Sequence, residues 1–139
     1  GAAAALKAEY TLPGISQSVV ITRMAGRTPV PEKESIRSFA AHQATMVLFL
    51  STGMLEKLSE ELVAGGYQEE TPAAIVYKAT WPEEKVMHCT VGTLAETAER
   101  EKVTKTALIV VGNVLNTEYE RSKLYDPAFT TEFRKGKEV

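Results

Sequence analysis

The sequence predicts an α/β fold, an αβα sandwich built on a five-stranded mixed sheet. Three observations predict it. First, residues 44–80 read as strand, turn, helix, strand. Thr45-Met46-Val47-Leu48-Phe49-Leu50 is a short apolar run suited to a buried pleated surface. Met54, Leu55, Leu58, Leu62 and Val63 then recur at helical spacing, and Ala73-Ala74-Ile75-Val76-Tyr77 is a second apolar run. Two buried runs joined by a helix predict a βαβ unit, a right-handed crossover between parallel strands. Second, Ala107-Leu108-Ile109-Val110-Val111 is the most apolar run of the chain and shows no alternation, which predicts a strand buried on both faces. Third, only Lys78 to Glu84 separates the run ending at Tyr77 from the next one, Lys85 to Thr90. That is too short for a parallel crossover, so these two strands pair antiparallel and the sheet is mixed.

The elements follow in order. Gly1-Ala2-Ala3-Ala4-Ala5-Leu6-Lys7-Ala8 has high helix propensity but no capping residue ahead of it, so residues 1–10 read as the back half of a helix cut from a longer chain. Pro13-Gly14 is a turn. Ser16 to Arg23 predicts a strand, with Val19 and Ile21 on one face and Ser18, Val20 and Thr22 on the other. A loop from Met24 to Pro31 carries Arg27. Pro31 suits a first helical turn, with Glu32 and Glu34 at the positive end of the dipole and Ile36, Phe39 and Ala40 as the apolar stripe. In the central unit, Ser51-Thr52-Gly53 offers hydroxyls to cap the helix, and Gly65-Gly66 stops it. Thr93-Leu94-Ala95-Glu96 has capping-box spacing and predicts a helix from Thr93 to about Lys102. Gly112-Asn113 ends the last strand. Residues 116–139 read as a polar tail, with one helical turn near Glu118 to Lys123. The domain is thus expected to span 1–115.

The totals agree with one domain. The chain has 139 residues, 44% apolar and 24% charged, and a net charge of −2. That length supports a core, and the near-neutral charge gives no support to a general nucleic-acid or membrane-surface role. No apolar stretch predicts a bilayer span, and no leader is expected. Cys89 is the single cysteine, which fits a reducing cytoplasm.

The residues alone say little about chemistry. There is no phosphate loop, zinc spacing or nucleophile elbow. His88 and Cys89 are successive strand residues that face opposite sides, so a shared metal is not expected. Asp126 has no acid or base partner in view, and Glu83-Glu84 reads as a solvated turn. In an open α/β sheet, ligands sit outside the carboxyl ends of the strands, which singles out Leu50-Ser51-Thr52 and Lys78-Ala79-Thr80. Arg23 and Arg27 flank a loop at such an end. They suit bidentate contact with carboxylates, and equally suit a solvated surface. Gln17, Ser18 and Thr22 could bond a ligand or simply line the sheet.

Several segments resemble the C-terminal half of the tetrapyrrole methylases, which methylate corrin and sirohaem precursors. They are Gln17-Ser18-Val19 with Thr22-Arg23, Val47 to Gly53, Ala74 to Thr80 with Trp81-Pro82-Glu83-Glu84, Gly92-Thr93-Leu94, and Ala107 to Gly112. Tyr10 to Ser18 and Arg121-Ser122-Lys123-Leu124-Tyr125-Asp126 resemble most one corrin-pathway member. The resemblance implies two αβα domains, S-adenosylmethionine in the cleft between them, a small-molecule corrin precursor as substrate, and a homodimer. The glycine-rich cofactor segment belongs to the N-terminal domain and is not in this sequence, so this chain is expected to be the second domain and inactive alone. Matching positions imply cofactor contacts at Leu50 and Ser51, at Ala79, and along Thr106-Ala107-Leu108, where the adenine runs. Leu50 stands where the family usually has Met, a change a backbone contact tolerates. Arg23 and Arg27 would meet the carboxylates of the macrocycle. Methyl transfer in this family rests on positioning, so no catalytic acid or base and no metal ligand are named. Two alternatives stand beside this reading: another methylase of the family, acting in the sirohaem or a different corrin step, and a non-catalytic domain for dimerisation or binding.

Overall fold

The computed structural model describes residues 10–24, 28–78, 81–103 and 105–115. The strands are β1 (Val19–Thr22), β2 (Thr45–Ser51), β3 (Pro72–Tyr77), β4 (Lys85–Thr90) and β5 (Thr106–Val111). The described residues hold three α-helices: α1 (Ile36–Ala40), α2 (Leu55–Gly65) and α3 (Leu94–Arg100). The strands form one sheet in the order β1-β2-β5-β3-β4. β1 is parallel to β2; β5 is antiparallel to both β2 and β3, and β3 is antiparallel to β4. This is the α/β architecture with a five-stranded mixed sheet that the apolar runs predict.

One expectation changes in detail. β2 and β3 do run the same way, because each opposes β5, but they are not neighbours. The helix α2 carries the chain across a gap that β5 fills. Apolar periodicity sets which faces a strand buries and does not choose its neighbours.

Alternation along the strands divides the core in two. Met46, Leu48, Leu50, Ala73, Ile75, Ala107, Ile109 and Val111 point to the helical side, against Ile36 and Ala40 of α1, Leu55, Leu58 and Leu62 of α2, and Leu94 and Ala98 of α3. Val47, Ala74, Val76 and Val110 point the other way, where Tyr10, Leu12, Val114 and Leu115 cover them. Helices α1, α2 and α3 therefore lie on one face. On the other face, Ile21 is 77% and Phe49 60% exposed.

The helix starts are corrected in two places. The helix expected from Pro31 is broken. Glu32–Glu34 makes a single 3-10 turn, and Ser35 is extended at φ −69° and ψ 159°, so α1 begins only at Ile36. The reason is local: the Ser35 Oγ accepts the Ser38 N–H at 3.1 Å, which makes it an N-cap. The capping box expected at Thr93 and Glu96 forms instead between Thr90 and Thr93. The chain leaves β4 through a 3-10 turn at Val91–Thr93, and the Thr93 Oγ1 turns back to accept the Thr90 N–H at 3.0 Å. Its hydroxyl is then unavailable to the N–H groups near Glu96. The helix also ends earlier than expected, at Arg100, with Val103 N–H closing on the Ala98 carbonyl at 2.9 Å. Strand β1 is shorter than the run Ser16 to Arg23, because Ser16 is tied to Leu12 across the Pro13-Gly14 turn. The expected remnant helix before Tyr10 and the expected turn near Glu118 to Lys123 lie outside the described residues.

Candidate functional site

The direction of each strand defines one edge of the sheet. β1, β2 and β3 end there, and β4 and β5 begin there. Five of the residues expected to contact a cofactor meet on that edge. Leu50 stands opposite Ala107 and Ser51 opposite Thr106, with Leu108 opposite Phe49. The sheet continues one step further, since Thr52 donates its N–H to the Lys105 carbonyl at 3.0 Å. Leu50 and Ala107 are buried, so what they present at the edge is backbone, whereas Ser51 and Thr106 expose their side chains. The Ser51 hydroxyl also accepts the Gly53 N–H at 3.4 Å, a weak cap on the turn that leads into α2. Ala79 and Arg27 lie outside the described residues. The residue before Ala79, Lys78, is on the same edge. β3 pairs with β5 up to Val76 opposite Leu108, and Lys78 follows directly after β3 at the same end of the sheet.

Arg23 follows β1 on the outer strand. Its Nη1 donates to the Met24 and Thr28 carbonyls, each at 3.3 Å. The guanidinium thus organises its own loop while the residue remains exposed. Gln17 and Ser18 sit at the opposite end of the sheet from Arg23, and the Ser18 carbonyl is used by the Thr45 N–H at 3.2 Å.

Two of the open clefts lie at opposite ends of the sheet. One of about 600 Å³ borders the carboxyl edge and is lined by Ser51, Thr52, Gly53, Glu56, Glu99 and Lys102. The other, about 450 Å³, lies at the far end beside Gln17, Phe39, His42 and Gln43. Only the first touches a residue expected to bind cofactor. His88 faces the side of Ala74 while Cys89 packs among the helices, as the pleat requires. Burial pushes the Cys89 thiol up to about 11, against the smaller opposing pull of the Thr97 and Thr93 hydroxyls and the Arg100 charge. It is a packing residue and a poor nucleophile. Among the described residues, no three His, Cys, Asp or Glu side chains gather as a metal site, and no helix is long and apolar enough to cross a membrane.

Sequence reasoning missed the surroundings of Lys78. Its φ is +50°, and its ammonium sits 5.4 Å from the centre of the Tyr77 ring and 5.8 Å from that of Trp81. The strand-end rule named the position, but nothing in the spacing announces the ring contacts.

Comparison with known proteins bears on the fold and the family. The family model of the Tetrapyrrole (Corrin/Porphyrin) Methylases matches residues 1–95. A cobalt-precorrin-4 C(11)-methyltransferase of Methanocaldococcus jannaschii is 53% identical over 135 residues, 96% of this chain and 52% of that protein. One from Priestia megaterium is 45% identical over 139 residues, 97% of this chain and 54% of that protein. The X-ray structure of a cobalt precorrin-4 methyltransferase superposes with a TM-score of 0.78 at 44% identity, covering 82% of this chain and 48% of the other. The chain spans about half the length of the relatives it matches. With a family model matched over residues 1–95 and a superposition at a TM-score of 0.78 in agreement, the chain belongs to the tetrapyrrole methylases.

Proposed function

We propose that this chain is the C-terminal half of an S-adenosylmethionine-dependent methyltransferase that acts on C11 of cobalt-precorrin-4 in anaerobic cobalamin synthesis. The observation that carries the reading is the 53% identity, over nearly the whole chain, to a protein of that activity. In this reading residues 1–115 are the second domain and 116–139 its tail. An N-terminal domain supplies the glycine-rich part of the cofactor site, and the working enzyme is a cytoplasmic homodimer.

The carboxyl edge suits such a cofactor. Backbone at Leu50 and Ala107 and the exposed hydroxyls of Ser51 and Thr106 offer polar groups to a ribose or an amino acid end. Ala107 leaves room for a flat base beside the strand, and Ala79 would complete the contact from β3. The cofactor, when bound, supplies an electrophilic methyl group. This chain's part is to hold it in line with the ring carbon and to keep water out, which is where intramolecular positioning gains its advantage. Arg23 and Arg27 would receive carboxylates of the macrocycle by charge-assisted bonds.

Calorimetric titration with S-adenosylhomocysteine tests the reading, on this chain and on the same chain joined to the N-terminal half its relatives carry. Binding by the joined protein and none by the half is the expected result, because the cleft needs both walls. If neither binds, the methylase reading fails and a non-catalytic binding domain replaces it.

A further inference from the structure

Trp81 is the only tryptophan in the chain, and it is 62% exposed. An indole held out into water at a ligand edge is unusual, since large aromatic side chains concentrate where something covers them. Its neighbour Lys78 is held equally deliberately. The Trp81 N–H donates to the Lys78 carbonyl at 3.0 Å, and Lys78 itself takes φ +50°. A non-glycine residue in that region costs about 1 kcal/mol or more, and such strain collects at functional sites. Glycine would make the same turn without the cost. The ammonium rests on two aromatic rings and, among the described residues, forms no ion pair. Ring faces fix its position without using up its hydrogen-bond donors.

The wider charge distribution favours an anion at this point. Arg23, Lys105, Lys78 and Lys85 stand at the strand ends of this edge, while Glu69 and Glu70 precede β3 at the opposite end. Lys85 is engaged with the Glu101 carbonyl at 3.5 Å. Glu83 and Glu84 lie on the β4 side of the turn, so an anion approaches most favourably over β3 and β5.

We propose that Lys78 and Trp81 form a recognition platform for the macrocycle, with the ammonium pairing a peripheral carboxylate and the indole covering part of the ring face. This rests on the macrocycle-binding reading above and adds two specificity-determining residues to it. The contact lies at the same end of the sheet as Thr106 and the expected cofactor position.

The test uses uroporphyrin III, a planar octacarboxylate, titrated into this chain joined to the N-terminal half its relatives carry and followed by the shift of the porphyrin's own absorption band. Lys78→Gly and Trp81→Leu should each weaken binding by about threefold to tenfold, the range of an exposed charge pair or ring contact. Lys78→Arg should bind like the parent, and so should Lys57→Gln on the exposed side of α2. Lys78→Gly should melt no lower than the parent, because glycine relieves the backbone at φ +50°. The proposal is overturned if the parent does not bind, if Lys78→Gly binds as tightly as the parent, or if Lys57→Gln loses as much. These outcomes are separate from the S-adenosylhomocysteine titration, which does not depend on Lys78. Cofactor binding with unchanged porphyrin affinity in Lys78→Gly would sink the platform and leave the methylase reading standing.

Discussion

Cys89, the single cysteine of the chain, is held quiet by its place in the fold. It lies on the helical side of β4, where burial outweighs the neighbouring hydroxyls and raises its pKa from 9.0 to about 11. Tyr67 behaves alike: it is 3% exposed, donates its hydroxyl to the Ala44 carbonyl, and is pushed from 10.0 to about 12 by the same desolvation. Both folded-state values are raised, so the folded chain holds its protons more tightly than the unfolded one. Stability from these groups is therefore complete below pH 9 and falls as pH rises, from 9 to 11 for the thiol and from 10 to 12 for the phenol. For Cys89 the loss is on the order of 2 kcal/mol. Melting temperatures measured every half unit from pH 8 to 11 should drop, and Cys89→Ala should flatten the first part of the drop. Parallel curves for parent and variant would show that the thiol is not the source. At the same scale, the sequence singled out Leu50-Ser51-Thr52 and Lys78 because they sit where apolar runs stop, whereas Thr106 to Leu108 came only from the family resemblance. The ring contacts of Lys78 were not legible, because they depend on a left-handed backbone that a lysine does not advertise.

Helix α1 is five residues long and has little intrinsic stability, so packing must hold it. Two contacts with α2 are available. Arg37 makes a two-pronged ion pair with Glu61, both bonds at 3.2 Å, but the Arg37 side chain is 60% exposed, and such pairs contribute little. The second contact is steric. A Cβ on Gly65 would overlap the Arg37 carbonyl oxygen and come within 2.5 Å of the Ala40 Cβ. Alanine normally favours a helix over glycine by about 1 kcal/mol, but here the obstacle is backbone and has no rotamer to escape into. Gly65→Ala should destabilise the chain by about 1 to 3 kcal/mol in urea unfolding, against less than about 1 for Arg37→Ala. A stabilised Gly65→Ala would mean that α1 can slide aside. Element identities were readable because each apolar run is long enough to declare its period. Element boundaries were less so. Ser35 and Thr93 each had two possible hydrogen-bonding partners, and tertiary position decided between them.

For the whole molecule, β5 is the piece on which the rest depends. It comes last among the described strands yet lies at the centre of the sheet, antiparallel to β2 and β3 on its two sides. Ile109, Val110 and Val111 are fully buried. Until β5 docks, β2 and β3 have no common neighbour, and Ser51, Thr106 and Lys78 do not share an edge. The site therefore requires contacts between residues some sixty positions apart, at Met46 and Val111 for example. Closing such distances is slow and opens only with the whole core. β1 is different, being a four-residue outer strand bonded on one side. Hydrogen exchange measured by mass spectrometry should find the amides of β5 and the adjoining half of β2 slowest, exchanging only through global unfolding, and those of β1 faster through local opening. Ile109→Ala, which removes a fully buried side chain from the central strand, should cost about 2 to 5 kcal/mol and speed exchange in β2 and β3 together. If β1 proved as slow as β5, or if Ile109→Ala loosened β5 alone, the sheet would not be a single cooperative unit, and the proposed cofactor edge could persist without its central strand.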